Sequence, residues 1–143
     1  MTSRRSFLSC AVALAAAPLI AADEPAAPQS FAKTFDQIEA RKTKVGVTHP
    51  IVNGKSATTG YYFEAHATSL DPGQMPHPPH QHKHDELFMV RSGSLEFTVN
   101  GKTTRLGPGS VALAANNDLH GVKNVGTEPA EYFVVAIGRD QQG

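Results

Sequence analysis

Pro76-His77-Pro78-Pro79-His80-Gln81-His82-Lys83-His84-Asp85-Glu86 gathers four of the chain's seven histidines into eight residues and ends on a carboxylate. If the segment is extended, His80, His82 and Glu86 share one parity and project from one face. Neutral imidazole together with carboxylate suits a divalent transition metal. The fold then turns on whether the rest of the chain builds a cage around this donor set.

Downstream and upstream of that stretch, from Lys44 onward, short alternating segments are punctuated by glycine, proline and asparagine. Strands are expected over 45–52, turning at Asn53-Gly54, and over 59–70, 86–91, 95–99, 103–106, 110–114, 121–124 and 131–137. Within 95–99, Leu95, Phe97 and Val99 alternate with Glu96 and Thr98, and Asn100-Gly101 supplies the two positive-φ residues of a tight hairpin. About eight short strands at this spacing predict an all-β sandwich or barrel. Before them, Ser30 is placed to cap a short helix in which Phe31, Phe35 and Ile38 recur at helical spacing, ending in Arg41, Lys42 and Lys44.

On this framework His80, His82, Glu86 and Gly93 form one signature, and Gly109, Ala115, Asn117, His120 and Asn124 a second. Together they resemble the two motifs of the cupin superfamily, in its small single-domain, type-2, quercetin-dioxygenase-like form, over residues 73–124. The resemblance implies a double-stranded β-helix, or jelly-roll, barrel of two facing antiparallel sheets. It also implies one metal held by His80, His82, Glu86 and His120. Gly73 lies one residue further from His80 than in the family pattern, Ala115 stands in place of proline and Asn117 in place of glycine. Asparagine tolerates positive φ, so the turn before His120 stays accessible.

Three histidines and one carboxylate leave room for water or substrate on the ion and accept iron, manganese, nickel, copper or zinc. The implied activity is that of a metal-dependent, dioxygenase-like enzyme on a small organic molecule, with Glu86 as ligand and catalytic proton acceptor in turn. A metal-dependent isomerase or lyase, or a non-catalytic metal or small-ligand binding module, fits the same four residues. Arg91, Lys102 and Arg105 fall at strand ends or beside turns, so alternation places no cation inside and a strongly anionic substrate is disfavoured. His49 and His77 read as surface or packing residues. His66, with the parity of Tyr62 and Glu64, is expected to face the interior in a structural part. His84 is expected behind the ligands or at the entrance, Lys83 and Asp85 in solvent, and Phe88, Phe97, Tyr132 and Phe133 mostly in the core.

The N-terminus reads as a targeting segment. Arg4 and Arg5 precede an apolar run over 10–22 with small residues at Ala21 and Ala22, the arrangement of a signal peptide. Ser3-Arg4-Arg5-Ser6-Phe7-Leu8 resembles a twin-arginine export signal. Phe7-Leu8-Ser9-Cys10 is a poor lipidation site, because the apolar run follows the cysteine instead of preceding it. The expected organisation is a signal peptide over 1–22, a linker and short helix over 23–43 and a cupin domain over 44–140, exported to the bacterial periplasm or secreted. Cleavage near Ala22 removes Arg4, Arg5 and the sole cysteine, leaving 11 basic residues against 13 acidic ones. Disulfides and thiolate zinc sites are thereby excluded from the mature chain. A formal charge of −2 without basic runs argues against nucleic acid, and no run is long enough to stay in a bilayer. A small-molecule ligand or substrate is the expected partner, with a homodimer through edge strands as a further expectation.

Overall fold

The computed structural model describes residues 27–139; the signal-peptide reading of residues 1–22 lies outside the described residues. Among the described residues nine strands form two antiparallel sheets. They are β1 (Arg41–Lys42), β2 (Gly46–Lys55), β3 (Tyr62–Leu70), β4 (Asp85–Ser92), β5 (Leu95–Val99), β6 (Lys102–Leu106), β7 (Val111–Ala114), β8 (His120–Asn124) and β9 (Ala130–Gly138). One sheet has the order β1-β2-β3-β9-β4-β7 and the other β6-β5-β8. This is the jelly-roll barrel expected from the sequence.

Alternation decides what lies between the sheets. On β9, Ala130, Tyr132, Val134 and Ala136 are buried, as are Phe88 and Val90 on β4 and Leu95 and Phe97 on β5. Phe88 and Phe97 meet across the gap with ring centroids 5.0 Å apart. Each such side chain contributes about 1.5–3 kcal/mol by leaving water. The register shows which end is filled. Leu70 faces Ala130 where β3 meets β9, and Leu70, Val90, Leu95 and Leu106 close that end as solid core. At the opposite end of the same strands lie Glu64, Ala136, Glu86 and the start of β8, where the histidines gather.

Two turns fix this arrangement. Asn100 and Gly101 adopt φ of 47° and 80°, joining β5 to β6 as the Asn-Gly pair predicts. Gly93, between β4 and β5, has φ of 83°, and a Cβ there would lie 2.6 Å from Cα and Cβ of Ala130, so only glycine lets β9 pass.

Three local expectations are corrected. The N-terminal helix is a single 3-10 turn, Phe35–Gln37, preceded by Thr34 and not Ser30. An amphipathic helix needs a face to bury. Phe31 is 51 % exposed, whereas Phe35 is occupied by the His49 ring at 4.6 Å and the Arg91 guanidinium at 5.1 Å. Arg41 and Lys42, read as the end of the helix, instead pair with Thr48 and Val47 as β1. The chain also does not turn at Asn53-Gly54. Those residues pair with Glu64 and Phe63 in the β2–β3 ladder, and the reversal comes after Lys55, where Gly60 N–H donates to the Ser56 carbonyl at 2.8 Å.

Candidate metal centre

The stretch 76–84 reaches the site as a loop held to a strand, and not as the extended run that simple parity assumes. His80 and His120 form a bridge in which each N–H donates to the other's carbonyl at 2.9 Å. This brings a histidine of the first signature directly beside the histidine of the second. Asn117 N–H donates to the His82 carbonyl at 2.8 Å, and Asn117 has φ of 62°, as the positive-φ turn requires. Asn116 adds a second tie: its N–H donates to Asp85 Oδ1 at 2.7 Å and its side-chain amide to the Lys83 carbonyl. Asp85 and Lys83 were expected in solvent without a task. β4–β7 pairing places 116 against them, and both anchor the turn that carries His120.

One ligand atom from each of His80, His82 and His120 lies within 4.8 Å of the others, and the same holds for His82, His84 and Glu86. His82 Nε2 is 3.4 Å from Glu86 Oε1 and His120 Nε2 is 3.3 Å from Glu86 Oε2. The four residues read from the sequence therefore gather in one cluster, with His80 joined to Glu86 through His82 and His120.

Their outer contacts set which nitrogen faces it. His82 Nδ1 lies 2.8 Å from the His84 carbonyl and His120 Nδ1 3.0 Å from the Asp118 carbonyl. A carbonyl only accepts, so each Nδ1 carries the proton and each Nε2 presents a lone pair inward. His82 Nε2, His120 Nε2 and His80 Nδ1 are buried without a hydrogen-bond partner, as is Nδ1 of the neighbouring His84. Orphaned buried nitrogens are costly unless something else takes their lone pairs. The residues present thus fit a divalent transition metal: three imidazole nitrogens and one carboxylate, with His82 and His120 oriented by backbone carbonyls.

Electrostatics agree. Burial pushes the Glu86 carboxyl up, but the approach of His120, His82 and His84 outweighs it and holds the group down at about 2. Burial, reinforced by His77, His120 and His82, holds His80 down at about 4, so its lone pair is available near neutrality. For His120 burial works downward, yet Glu86 and the Asp118 carbonyl prevail and raise its value. A cation would compete with that proton.

His84 sits closer than the sequence suggested. It is buried, stacked on the His82 ring at 3.6 Å and 7° interplanar, with Nε2 bonded to Glu86 Oε1 at 3.3 Å. Its carbonyl also accepts from His82, so it braces two of the four ligands. His77 rests on the His80 ring at 4.1 Å, whereas His49 packs away from the site on Phe35.

A cavity of about 260 Å³ opens from His120 into the barrel, walled by His66, Phe88, Tyr132 and Val134. Among the described residues its lining includes no lysine or arginine. Burial pushes the Tyr132 phenol up to about 12, so it stays a donor. The hydrogen-bonded cluster of Tyr62, Glu64 and His66 beside the site was not foreseen. Tyr62 OH donates to Glu64 Oε2, and His66 Nδ1 lies 3.2 Å from Glu64 Oε1. The alternation of β3 marks all three as inward-facing, but only the sheet register shows that they border the metal centre. Asn124 is wholly buried and acts as a latch: its Nδ2 donates to the carbonyls of Leu70 at 2.7 Å and Glu128 at 2.8 Å.

The family model described as "Cupin domain" matches residues 67–136, which include all four converging residues. Residues 67–136 thus match the cupin domain family, and the barrel has the cupin fold. Solved cupin-fold structures cover most of the chain at low identity. An RmlC-like cupin from Shewanella frigidimarina is 15 % identical over 79 % of this chain and 95 % of its own, with a TM-score of 0.66. KdgF from Halomonas sp. is 21 % identical over 79 % and 97 %, with a TM-score of 0.63. The polyketide cyclase RemF from Streptomyces resistomycificus is 18 % identical over 76 % and 80 %, with a TM-score of 0.60. These likenesses show the cupin fold. No curated protein matches the sequence. Among the described residues no helix is long and apolar enough to cross a membrane.

Proposed function

We propose that this protein is an exported cupin enzyme that uses one divalent transition metal, held by His80, His82, Glu86 and His120, to act on a small uncharged organic molecule. The observation that carries the reading is the set of orphaned buried nitrogens on His80, His82 and His120, gathered beside the ionised Glu86. When bound, such an ion supplies Lewis acidity toward an oxygen of the substrate and neutralises charge that develops there.

Reaction class follows from the motifs first as oxygenase-type, with Glu86 accepting a proton from the substrate. The cavity narrows the substrate. At about 260 Å³ it falls below the roughly 300–1,000 Å³ of clefts that hold drug-sized ligands, which favours a compact molecule over a multi-ring flavonol. A second reading, metal-assisted proton transfer of the isomerase or lyase kind, is favoured by the hydrogen-bonded Tyr62, Glu64 and His66 beside the same cavity.

Metal analysis of natively exported protein tests the site, and N-terminal sequencing of that material tests cleavage near Ala22. Twin-arginine transport of a folded chain lets manganese or iron(II) be loaded before export; predominance of copper or zinc would count against that route. Oxygen uptake with catechols and small uncharged diketones then tests the oxygenase reading. Stoichiometric metal without turnover on any substrate would move the protein to the non-catalytic binding class.

A further inference from the structure

We infer that Glu64 and His66 form an acid–base pair that moves a proton on an enolisable, uncharged substrate in the barrel cavity, with His66 Nε2 as the group that touches the substrate. The inference rests on the proton-transfer reading of the same site.

Both residues stand on β3 with the parity of Tyr62, which is buried. The register carries them to the site. Glu64 pairs with Ala136 on β9, and Ala136 pairs with Glu86 on β4, so Glu64 and Glu86 occupy one row two strands apart. Strands lie about 4.8 Å apart, which puts the two backbones roughly 10 Å from each other. Only a methyl group stands between them. His66 comes one inward position further along, opposite Val134 and Phe88, where it borders the cavity together with His120.

Glu64 is fully committed. Tyr62 OH donates to Oε2 and His66 Nδ1 to Oε1, and the bond from His66, working against burial, holds the carboxyl below its ordinary value. A carboxylate that accepts at Nδ1 orients the ring and stabilises the imidazolium once a proton arrives. With Nδ1–H spent on Glu64, Nε2 is the basic nitrogen, and no described residue engages it. Nothing else in this part of the cavity can take a proton: the other lining groups are threonines, the protonated Tyr132 and apolar side chains, apart from the histidines at the metal centre and its entrance.

The step balances without any further reagent. A substrate carbonyl oxygen lies toward His120, and His66 Nε2 removes the proton from the adjacent carbon. The C–H electron pair becomes the C=C bond of the enolate, and the carbonyl π pair moves onto oxygen. Return of the proton from Nε2 to the same carbon gives back the ketone. In an α-hydroxyketone, transfer of the hydroxyl proton to the former carbonyl oxygen lets Nε2 protonate the former carbonyl carbon instead, and the aldehyde C=O that re-forms makes the isomeric hydroxyaldehyde. The absence of lysine and arginine from the lining favours a hydroxyketone over a phosphorylated or carboxylated relative.

The test uses the full mature chain loaded with zinc and hydroxyacetone in D2O, followed by proton NMR. Wild-type protein is expected to speed deuterium exchange at the carbon-bound protons beyond the zinc-free protein. His66→Gln is expected to slow that exchange about 100-fold, with zinc content unchanged. Histidine side-chain nitrogen spectra give a second readout, independent of turnover. His66 should carry its proton on Nδ1, and Glu64→Gln should shift that signal. Equal exchange in wild type and His66→Gln, no exchange beyond the zinc-free control, or an unshifted His66 signal in Glu64→Gln would each overturn the pair. Loss of zinc from the wild type would instead sink the metal-centre reading, so the two failures are distinguishable.

Discussion

Glu64 and Glu86 face the same row of the six-stranded sheet with Ala136 between them, one carboxylate bound to His66 and Tyr62 and the other set among the clustered histidines. Two ionised carboxylates on one buried surface repel, and Glu86 does push Glu64 upward. Each is kept charged by its own partners. On the proposed reading the row holds two separate roles, metal donor at Glu86 and orienting partner of His66 at Glu64, divided by the Ala136 methyl group.

Replacing that side chain tests the division. Ala136 is 2 % exposed, so Ala136→Leu forces added carbon into a packed row. Overpacking of this kind costs about 1–3 kcal/mol, read as a lower denaturant midpoint. Because the four metal donors lie on other residues, metal content should stay near wild type while exchange on hydroxyacetone is lost. Unchanged exchange would show that the space over Ala136 is not where substrate sits.

His120→Ala removes the donor that joins the two signatures. Binding of a ligand only to the folded state adds stability, about 2.7 kcal/mol at 100 times Kd, so wild-type protein should melt higher as metal is added. His120→Ala should bind far less metal and gain little from it. A variant that keeps full metal content in folded protein would mean that His120 Nε2 is not a donor and that His84, already against Glu86, completes the set.

Local chemistry was readable from the sequence where it was enough to decide the structure. β5 and the Asn100-Gly101 hairpin lie where alternation and turn chemistry put them, because both depend on neighbours in the chain. The resemblance of the two motifs to those of cupins was also enough to single out His80, His82, Glu86 and His120 as a set. Asn53-Gly54 carries the same turn signal as Asn100-Gly101 but is drawn into the ladder by pairing with Glu64 and Phe63 on a strand that one-dimensional reading cannot align. The places of His84 and His66 are hidden for the same reason. Parity assigns a side chain to a face, whereas its neighbours on that face depend on which strands pair and in what register.

Asn124 shows what such long-range contacts are worth. Besides its two donated bonds, its Oδ1 accepts from Gly126 N–H at 2.9 Å, and the Gly73 N–H reaches its backbone carbonyl at 3.0 Å. Asn124→Ala strands the buried Leu70 carbonyl and frees the turn after β8. An unsatisfied buried group costs roughly 1–3 kcal/mol, and two lost partners put the expected loss at about 2–4 kcal/mol by chemical denaturation. Metal stoichiometry should survive in the folded fraction, since the side chain lies at the opposite end of β8 from His120, bonded to the Leu70 and Glu128 carbonyls. A loss below about 1 kcal/mol would mean that water replaces the latch.

The acid stability of metal-free protein follows from the displaced pKa values, with signs that oppose each other. His80 is held at about 4 against an ordinary 6.5, so between those values the unfolded chain binds a proton that the folded chain refuses. Its contribution is present above pH 6.5 and is lost as pH falls toward 4. Glu86, at about 2 against 4.5, adds a second loss over that lower window. His120 runs the other way: its value is raised, so its contribution is complete below 6.5 and fades as pH rises through the folded value. The denaturant midpoint should therefore be highest near pH 6.5, decline as pH rises above it through the loss from His120, fall from pH 6.5 to 4, and fall further below 4.5. His80→Asn should flatten the first decline and leave the second. If wild type and His80→Asn lose stability identically between pH 6.5 and 4, His80 is not held neutral by burial among its histidine neighbours, and its buried nitrogen would no longer count toward the metal centre.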